Sequence, residues 1–214
     1  MRGWPPLPGL PPLARWSVLG VGGFLLALLV WAGVWSVLQH RDASAQRAFT
    51  SATATYRQAM VSDEEPRLGD AAAALRQFLT DYPRSSDAAH AWYALGNLEY
   101  RQGHYDSALS AFGEAASRDR GSVGALSRLG VGYVWEAKKD PARALTAYGE
   151  ALKGRGPTDF LYGELLLATA RVQEELKQPA AAVESYRRLL KDAPGSSRAE
   201  EARTRLAILG AGAA

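Results

Sequence analysis

Residues 92–101, WYALGNLEYR, followed by the turn at 102–106, QGHYD, and then SALSAFGEAA at 107–116, read as two antiparallel helices joined by a tight turn. Apolar residues recur at three- and four-residue steps on both segments, the spacing of one buried helix face. Small residues stand where two helix backbones must approach: Gly96 on the first segment and Ala108 on the second. Trp92, Leu95, Tyr105, Leu109 and Phe112 fill the space around them, and Ala115 closes the second segment.

The same grammar repeats along the chain. Residues 41–60 are helix-prone, with Ala45, Ala48, Phe49, Ala52, Tyr56 and Ala59 on one face. Pro66 and Gly69 punctuate residues 61–69 as a breaker. A return helix is predicted over 70–80, with Asp70 as its N-cap. A further hairpin follows the first: its first helix, 123–137, carries Leu129, Gly130 and Tyr133, and its second, 141–153, carries Ala144, Tyr148 and Ala151. Two extra residues are placed between these helices, near Lys138 to Asp140, and Pro141 fits a helix N-terminus. After a GRGPT linker at 154–158 comes another such hairpin, the fourth when that at 41–86 is counted, with Ala170 at the glycine position and then Ala182, Tyr186, Leu189 and Pro194. Residues 197–209 form a last single helix, charged on one side and carrying Ala202, Leu206 and Leu209 on the other, as a helix that closes a repeat stack requires.

The spacing W-x2-L-G…A-x3-F resembles the tetratricopeptide repeat, a 34-residue helical hairpin. Trp92, Leu95, Gly96, Ala108, Phe112 and Ala115 occupy its W, L, G, A, F and A positions, while Glu99 stands at the usual tyrosine and Arg120 at the usual proline. Leu129, Gly130 and Tyr133 take the L, G and Y positions of the next unit. The resemblance implies an all-α solenoid whose packing residues include Trp92, Leu95, Gly96, Ala108, Phe112, Gly130, Tyr133, Ala144, Tyr148, Ala182 and Tyr186. The units are an irregular hairpin at 41–86, repeats at 87–121, 122–156 and 158–195, and a capping helix at 196–210.

Ahead of the repeats lie a Pro-rich tail, residues 1–15, which proline keeps from being a helix, and residues 16–38, which contain no charged side chain. About 20 apolar residues span a bilayer core, so 16–38 is predicted as a single transmembrane helix. Trp16 and Trp35 sit near its ends, where amphipathic rings favour the interface. Gly23 and Ala27 form a small-xxx-small pair that either packs against another membrane helix or faces lipid. Arg2 and Arg15 precede the span, so the positive-inside rule places the N-terminus in the cytoplasm and the repeats outside. An Ala43-Ser44-Ala45 cleavage motif is present, but the apolar run is longer than a signal peptide's and Arg41 and Asp42 intervene, which favours a retained anchor.

Composition narrows the function. The chain has 214 residues, a net charge of +3 and no cysteine, which removes disulfides, thiolate metal sites and a cysteine nucleophile. Basic and acidic residues are interspersed, so no basic stripe for nucleic acid forms. The metalloprotease, hydrolase-elbow, phosphate-loop and dinucleotide motifs are missing, and the three histidines are scattered. No catalytic residue, cofactor, metal or small-molecule substrate is predicted, and an enzyme subunit is the class least supported.

In the tetratricopeptide family the first helices of successive units line a groove that binds a peptide or helix. That resemblance assigns His90, Tyr93, Asn97, Tyr100 and Arg101 to the groove in the first clear unit. It adds Ser127, Val131, Val134 and Trp135 in the next, then Leu167, Arg171 and Glu174. Trp135 is either an interface anchor or a core residue. A carboxylate-gripping subclass uses a Lys/Asn/Arg clamp; Asn97 matches, but Tyr93 replaces the Lys, and Glu164 and Ala168 stand at the later Lys and Arg, so a carboxylate would meet negative charge. The plan of short tail, anchor and repeats also resembles the ancillary Sec-translocon repeat proteins of bacterial inner membranes. This implies a membrane-anchored adaptor in the periplasm, with translocon subunits and periplasmic chaperones among its protein partners. An envelope-assembly or cell-division scaffold is the alternative.

Overall fold

The computed structural model describes residues 12–62 and 64–211; the side chains of 12–23, 25, 34 and 36–40 fall outside that description. The described residues form nine helices: α1 (Pro12–Ser62), α2 (Glu65–Asp81), α3 (Ala88–Arg101), α4 (Tyr105–Arg118), α5 (Ser122–Ala137), α6 (Pro141–Leu152), α7 (Tyr162–Glu175), α8 (Pro179–Asp192) and α9 (Ala199–Ile208). They divide into two units, Met1–Arg47 and Ala48–Ala214.

In the first unit, α1 starts at Pro12, so residues 12–15 are helical where a non-helical tail is expected. Proline tolerates the first helical turn, because its missing N–H has no intrahelical partner there anyway. Residues 1–11 of that tail lie outside the described residues. Phe24, Leu26, Leu28, Leu29, Val30, Trp31 and Trp35 are exposed along the helix, and the rings of Trp31 and Trp35 stack with centroids 5.6 Å apart. Among the described residues no helix is long and apolar enough to cross a membrane. Much of the predicted span 16–38, Gly23 included, lies outside the described side chains, and Ala27 is exposed.

The second unit is the helical-hairpin stack. Helix α2 begins at Glu65, five residues before the expected N-cap Asp70, with Pro66 inside its first turn. Pro66 therefore opens the helix instead of breaking it. The three hairpins α3–α4, α5–α6 and α7–α8 close on one turn. Their left-handed residues are Gly103 (φ +74°), Lys139 (φ +60°) and Lys177 (φ +60°). In each, the following N–H returns to a carbonyl five residues back: His104 to Glu99 at 2.8 Å, Asp140 to Trp135 at 3.0 Å and Gln178 to Gln173 at 2.9 Å. This pattern satisfies helix-end carbonyls without a longer loop. Asp140 then accepts from the Arg143 N–H at 3.0 Å and caps α6.

The expected two-residue insertion between α5 and α6 is therefore absent. Counting back from the left-handed residue, Gly96 of α3 corresponds to Gly132 of α5 and to Ala170 of α7, not to Gly130. Packing agrees. A Cβ on Gly96 would lie 2.7 Å from the Phe112 ring of its own hairpin, and one on Gly132 would run into the Tyr148 ring of its own. Gly130 instead lies against Phe112 of the preceding hairpin, where a Cβ would stand 2.8 Å from the ring. The extra length lies ahead of α5. There the Asp119 carboxylate accepts from the N–H groups of Gly121 (3.1 Å) and Gly124 (2.8 Å), and a Cβ on Gly124 would strike the Asp119 carbonyl. Those donors, Gly124 first, hold the Asp119 carboxyl below its ordinary range.

The core runs along the hairpins around Phe112, Tyr148 and Tyr186, one large ring per second helix, each buried. Ala108, Ala144 and Ala182 are fully buried four residues ahead of these rings. Burial of each large side chain contributes roughly 1.5–3 kcal/mol. Helix α9 covers the end of the stack, with Ala199, Ala202 and Leu206 packed into the cluster of Leu166, Leu167, Tyr186 and Leu189.

Candidate protein-binding face

First helices touch first helices through the second unit. In the α1–α3 contact, Asn97 donates to the Tyr56 hydroxyl (3.5 Å) and Arg101 to the Met60 carbonyl (3.1 Å). In the α5–α7 contact, the Tyr133 hydroxyl donates to Glu164 (2.5 Å), and Arg171 Nη2 donates to Glu136 Oε2 (3.4 Å). In the α7–α9 contact, Arg198 pairs with Glu164, and Arg205 grips Glu174 through Nε (3.1 Å) and Nη2 (2.5 Å). The turn register makes Asn97, Tyr133 and Arg171 one row across this face, and Tyr100, Glu136 and Glu174 a second.

Of the residues expected on the face, His90, Tyr100 and Arg101 are exposed, while Tyr93 and Asn97 are half-buried. The His90 ring lies 6.4 Å from Phe49, Tyr93 5.9 Å from Phe112, and Tyr100 6.0 Å from Tyr105. Burial pushes the Tyr100 hydroxyl up, helped by Tyr105.

The next helix requires correction, because its frame is shifted by two. Ser127 is fully buried and its hydroxyl donates to the Val123 carbonyl at 2.8 Å. Val134 is fully buried, and Val131 packs against the cluster of Ala108 and Phe112. Trp135 occupies the row of Glu99 and Gln173, and the Arg143 guanidinium of α6 stands 4.0 Å over its ring. It is a hairpin packing residue, half-buried, rather than a groove anchor. The residues of α5 that do reach the face are Leu126, Leu129, Tyr133 and Glu136. Tyr133 thus packs and also faces α7. In α7, Leu167 is fully buried, whereas Arg171 and Glu174 are half-buried and line the second of the clefts described below.

Sequence reasoning missed Glu136, Glu175, Arg198, Glu201 and Arg205 as members of this face. The signal for Glu136 was available in one spacing: Glu136 and Glu174 each stand twelve residues before a core tyrosine. For α9 the signal was the pair Arg198 and Arg205, seven residues apart and so on one helix side.

Two clefts open between these helices. One, about 270 Å³, lies at the α7 N-terminus between Leu129, Tyr133, Phe160, Glu164 and Arg198, with Phe160 largely exposed beside it. The other, about 310 Å³, is lined by Glu136, Arg171, Glu174, Glu175, Glu201 and Arg205. Burial pushes the Glu136 carboxyl up, more than Arg171 offsets it, and the Glu175 charge adds to the rise. Glu174 goes the other way: burial works to raise it, but the hydrogen bonds from Arg205 and Tyr186 outweigh burial and hold it below its ordinary value. Among the described residues no cluster of His, Asp and Glu is arranged to hold a metal ion.

A sequence model of the family "Tetratricopeptide repeat" matches residues 56–116 and 93–160, and a second model with that description matches 164–196. No curated protein matches the chain. Among solved structures, a tetratricopeptide repeat protein from Parabacteroides merdae superposes with a TM-score of 0.61 at 16% identity, over 77% of this chain and 60% of that one. The chain thus spans under two thirds of that protein's length. The structure of MamA gives a TM-score of 0.55 at 16% identity, over 73% of this chain and 85% of that one. At such identities the likeness concerns the fold alone.

Proposed function

We propose that this chain, which belongs to the tetratricopeptide-repeat family, is an adaptor that binds partner proteins or peptides on the face of its first helices while its N-terminal helix holds it at a membrane. The observation that carries the binding reading is the row of half-buried polar and aromatic side chains from Asn97 through Tyr133 to Arg171, with clefts on either side of Glu164 and Arg171. Aromatic and arginine side chains that are partly covered already give up little freedom when a partner closes over them.

The tether reading rests on the exposed large apolar residues between Phe24 and Trp35, a patch that water disfavours and a bilayer would cover. The N-terminus is cytoplasmic and the repeats stand in the periplasm, by the weak arginine asymmetry about the span. Tethering raises the local concentration of the face near membrane partners. The partners are translocon subunits and periplasmic chaperones.

Site-specific photocrosslinking of the full chain in its membrane tests each layer, with reactive residues at Gly23, Tyr93 and Tyr100. Translocon subunits captured at Gly23, with chaperones or nascent envelope proteins captured at the tyrosines, are the expected result. Capture of cell-wall or outer-membrane factors alone would replace the secretion role with an envelope-assembly or cell-division scaffold. Capture of cytoplasmic proteins at the tyrosines would reverse the topology.

A further inference from the structure

The 310 Å³ cleft between α5, α7 and α9 has four carboxylates and two guanidiniums on its walls. The cations are unevenly shared. Glu174 receives both N–H groups of Arg205 and the Tyr186 hydroxyl (2.7 Å). Glu136 has only the longer contact from Arg171. Its Oε1 is buried, and the hydroxyl of Tyr148, which is 0% exposed and stands where Tyr186 stands in the next hairpin, faces it without closing to a hydrogen bond like the one Tyr186 makes with Glu174. Tyr148 is directed at this carboxylate, whose charge, after burial, pushes the hydroxyl up. Glu175 and Glu201 are exposed on the same walls, and no ion pair among the described residues engages either.

The chain also demonstrates how this face accepts a cation. Arg198, at the N-cap of α9, sits on Glu164, and Arg205 within α9 sits on Glu174, so two of the three glutamates of α7 are served. Among the described residues Glu136 and Glu201 share the single guanidinium of Arg171, and no ion pair serves Glu175. A lysine or arginine entering the cleft completes there what α9 completes beside it, and charge-assisted contacts to carboxylates are the stronger kind of hydrogen bond.

We infer that this cleft binds a lysine- or arginine-bearing segment of the partner protein, with Glu136, Glu175 and Glu201 as the acceptors. The inference rests on the adaptor reading and names the chemistry of its ligand. Excess negative charge on the walls steers a basic segment toward the cleft and disfavours an acidic one.

The test is selection of 15-residue peptides from a random display library on the full-length chain in detergent, followed by affinity measurement of the recovered sequences. Selected peptides enriched in Lys and Arg are expected, with affinity reduced about tenfold by Glu175→Gln together with Glu201→Gln and further weakened as salt rises. Both positions are exposed, so the double variant should keep the wild-type unfolding temperature, which is measured alongside. Peptides recovered without basic enrichment, or bound equally by the double variant, overturn the basic-ligand inference and leave the adaptor reading standing. Recovery of no binding peptide overturns both.

Discussion

In α5–α6, the third hairpin when the irregular one at 41–86 is counted first, Tyr148 points at Glu136 across the same twelve residues that separate Tyr186 from Glu174 in the fourth, α7–α8. The two hairpins share a left-handed lysine, a proline opening the second helix and a buried alanine four residues ahead of the tyrosine. They differ at two places. Under the ring, the third has Gly132 and the fourth has Ala170. Beside the glutamate, the third has one distant arginine and the fourth has a two-pronged arginine supplied by α9. The fourth hairpin is chemically closed, because the end of the stack must be covered. The third leaves its glutamate with one distant arginine at the wall of an open cleft. The same template thus serves an end in one place and a site in the other.

The sharpest way to break this comparison is to exchange the small residues. Gly132→Ala forces a methyl into the fully buried Tyr148 ring. Overpacking of this kind costs about 1–3 kcal/mol, against which alanine regains about 0.5–1 kcal/mol of helix propensity. A net loss of about 1–2 kcal/mol in chemical unfolding is expected. Ala170→Gly should lose about 1–2 kcal/mol, from helix propensity and from the loss of a fully buried methyl. A gain in stability from Gly132→Ala, as helix propensity alone would give, would mean that Gly132 is not the contact that sets the hairpin's register.

Next in size is the hydroxyl pair. Tyr186→Phe removes a 2.7 Å hydrogen bond to a carboxylate and should cost about 1.5 kcal/mol. Tyr148→Phe removes a hydroxyl that faces Glu136 without closing to a hydrogen bond of that geometry, so its cost should be well below that at Tyr186. A loss at Tyr148 equal to that at Tyr186 would show that its hydroxyl is satisfied, and would remove one support of the cation cleft. Smaller again are the turns. Lys139→Gly and Lys177→Gly each relieve a left-handed side chain and should each add about 0.5 kcal/mol, most of the conformational gain being returned as unfolded-chain entropy.

These pairs also show how much was legible before the structure. The hairpins, their order, the ring positions Phe112, Tyr148 and Tyr186 and the capping role of α9 follow from spacing alone, since a 3.6-residue period and residue size determine which side faces inward. The register of α5 did not. Leu129-Gly130 imitates Leu95-Gly96, and a lysine gives no sign in sequence of adopting positive φ. From spacing the turn therefore reads two residues longer than it is, which puts Ser127, Val134 and Trp135 on the face that Leu126, Leu129 and Glu136 occupy. One-residue errors in a helix rotate a side chain by about 100°, and two by about 200°, which exchanges surface for core. The acidic cleft was hidden for a different reason. Its walls come from three helices, and no spacing rule links Glu136 to Glu201.

The finest test of the comparison is electrostatic and uses the two glutamates as opposite probes. Glu174 is held below its ordinary value of 4.5 in the folded chain. It therefore contributes stability that is fully present above the unfolded value and is lost as the pH falls through the lower folded one. Glu136 is raised in the folded chain, by burial first and by Glu175 among its neighbours. Its ionisation thus opposes folding above the raised value, and that opposition disappears as the pH falls below 4.5. Glu174→Gln should lower the unfolding temperature at pH 7, with the gap to wild type closing toward pH 3. Glu136→Gln should raise it at pH 7, with the gain vanishing by about pH 4. Bringing a Lys- or Arg-bearing peptide to the cleft should erase the Glu136→Gln gain, because a cation beside the carboxylate lowers its pKa and removes the penalty that glutamine avoids. If the gain survives saturation with such a peptide, the cation does not reach Glu136, and the third hairpin's open carboxylate belongs to the fold rather than to a site.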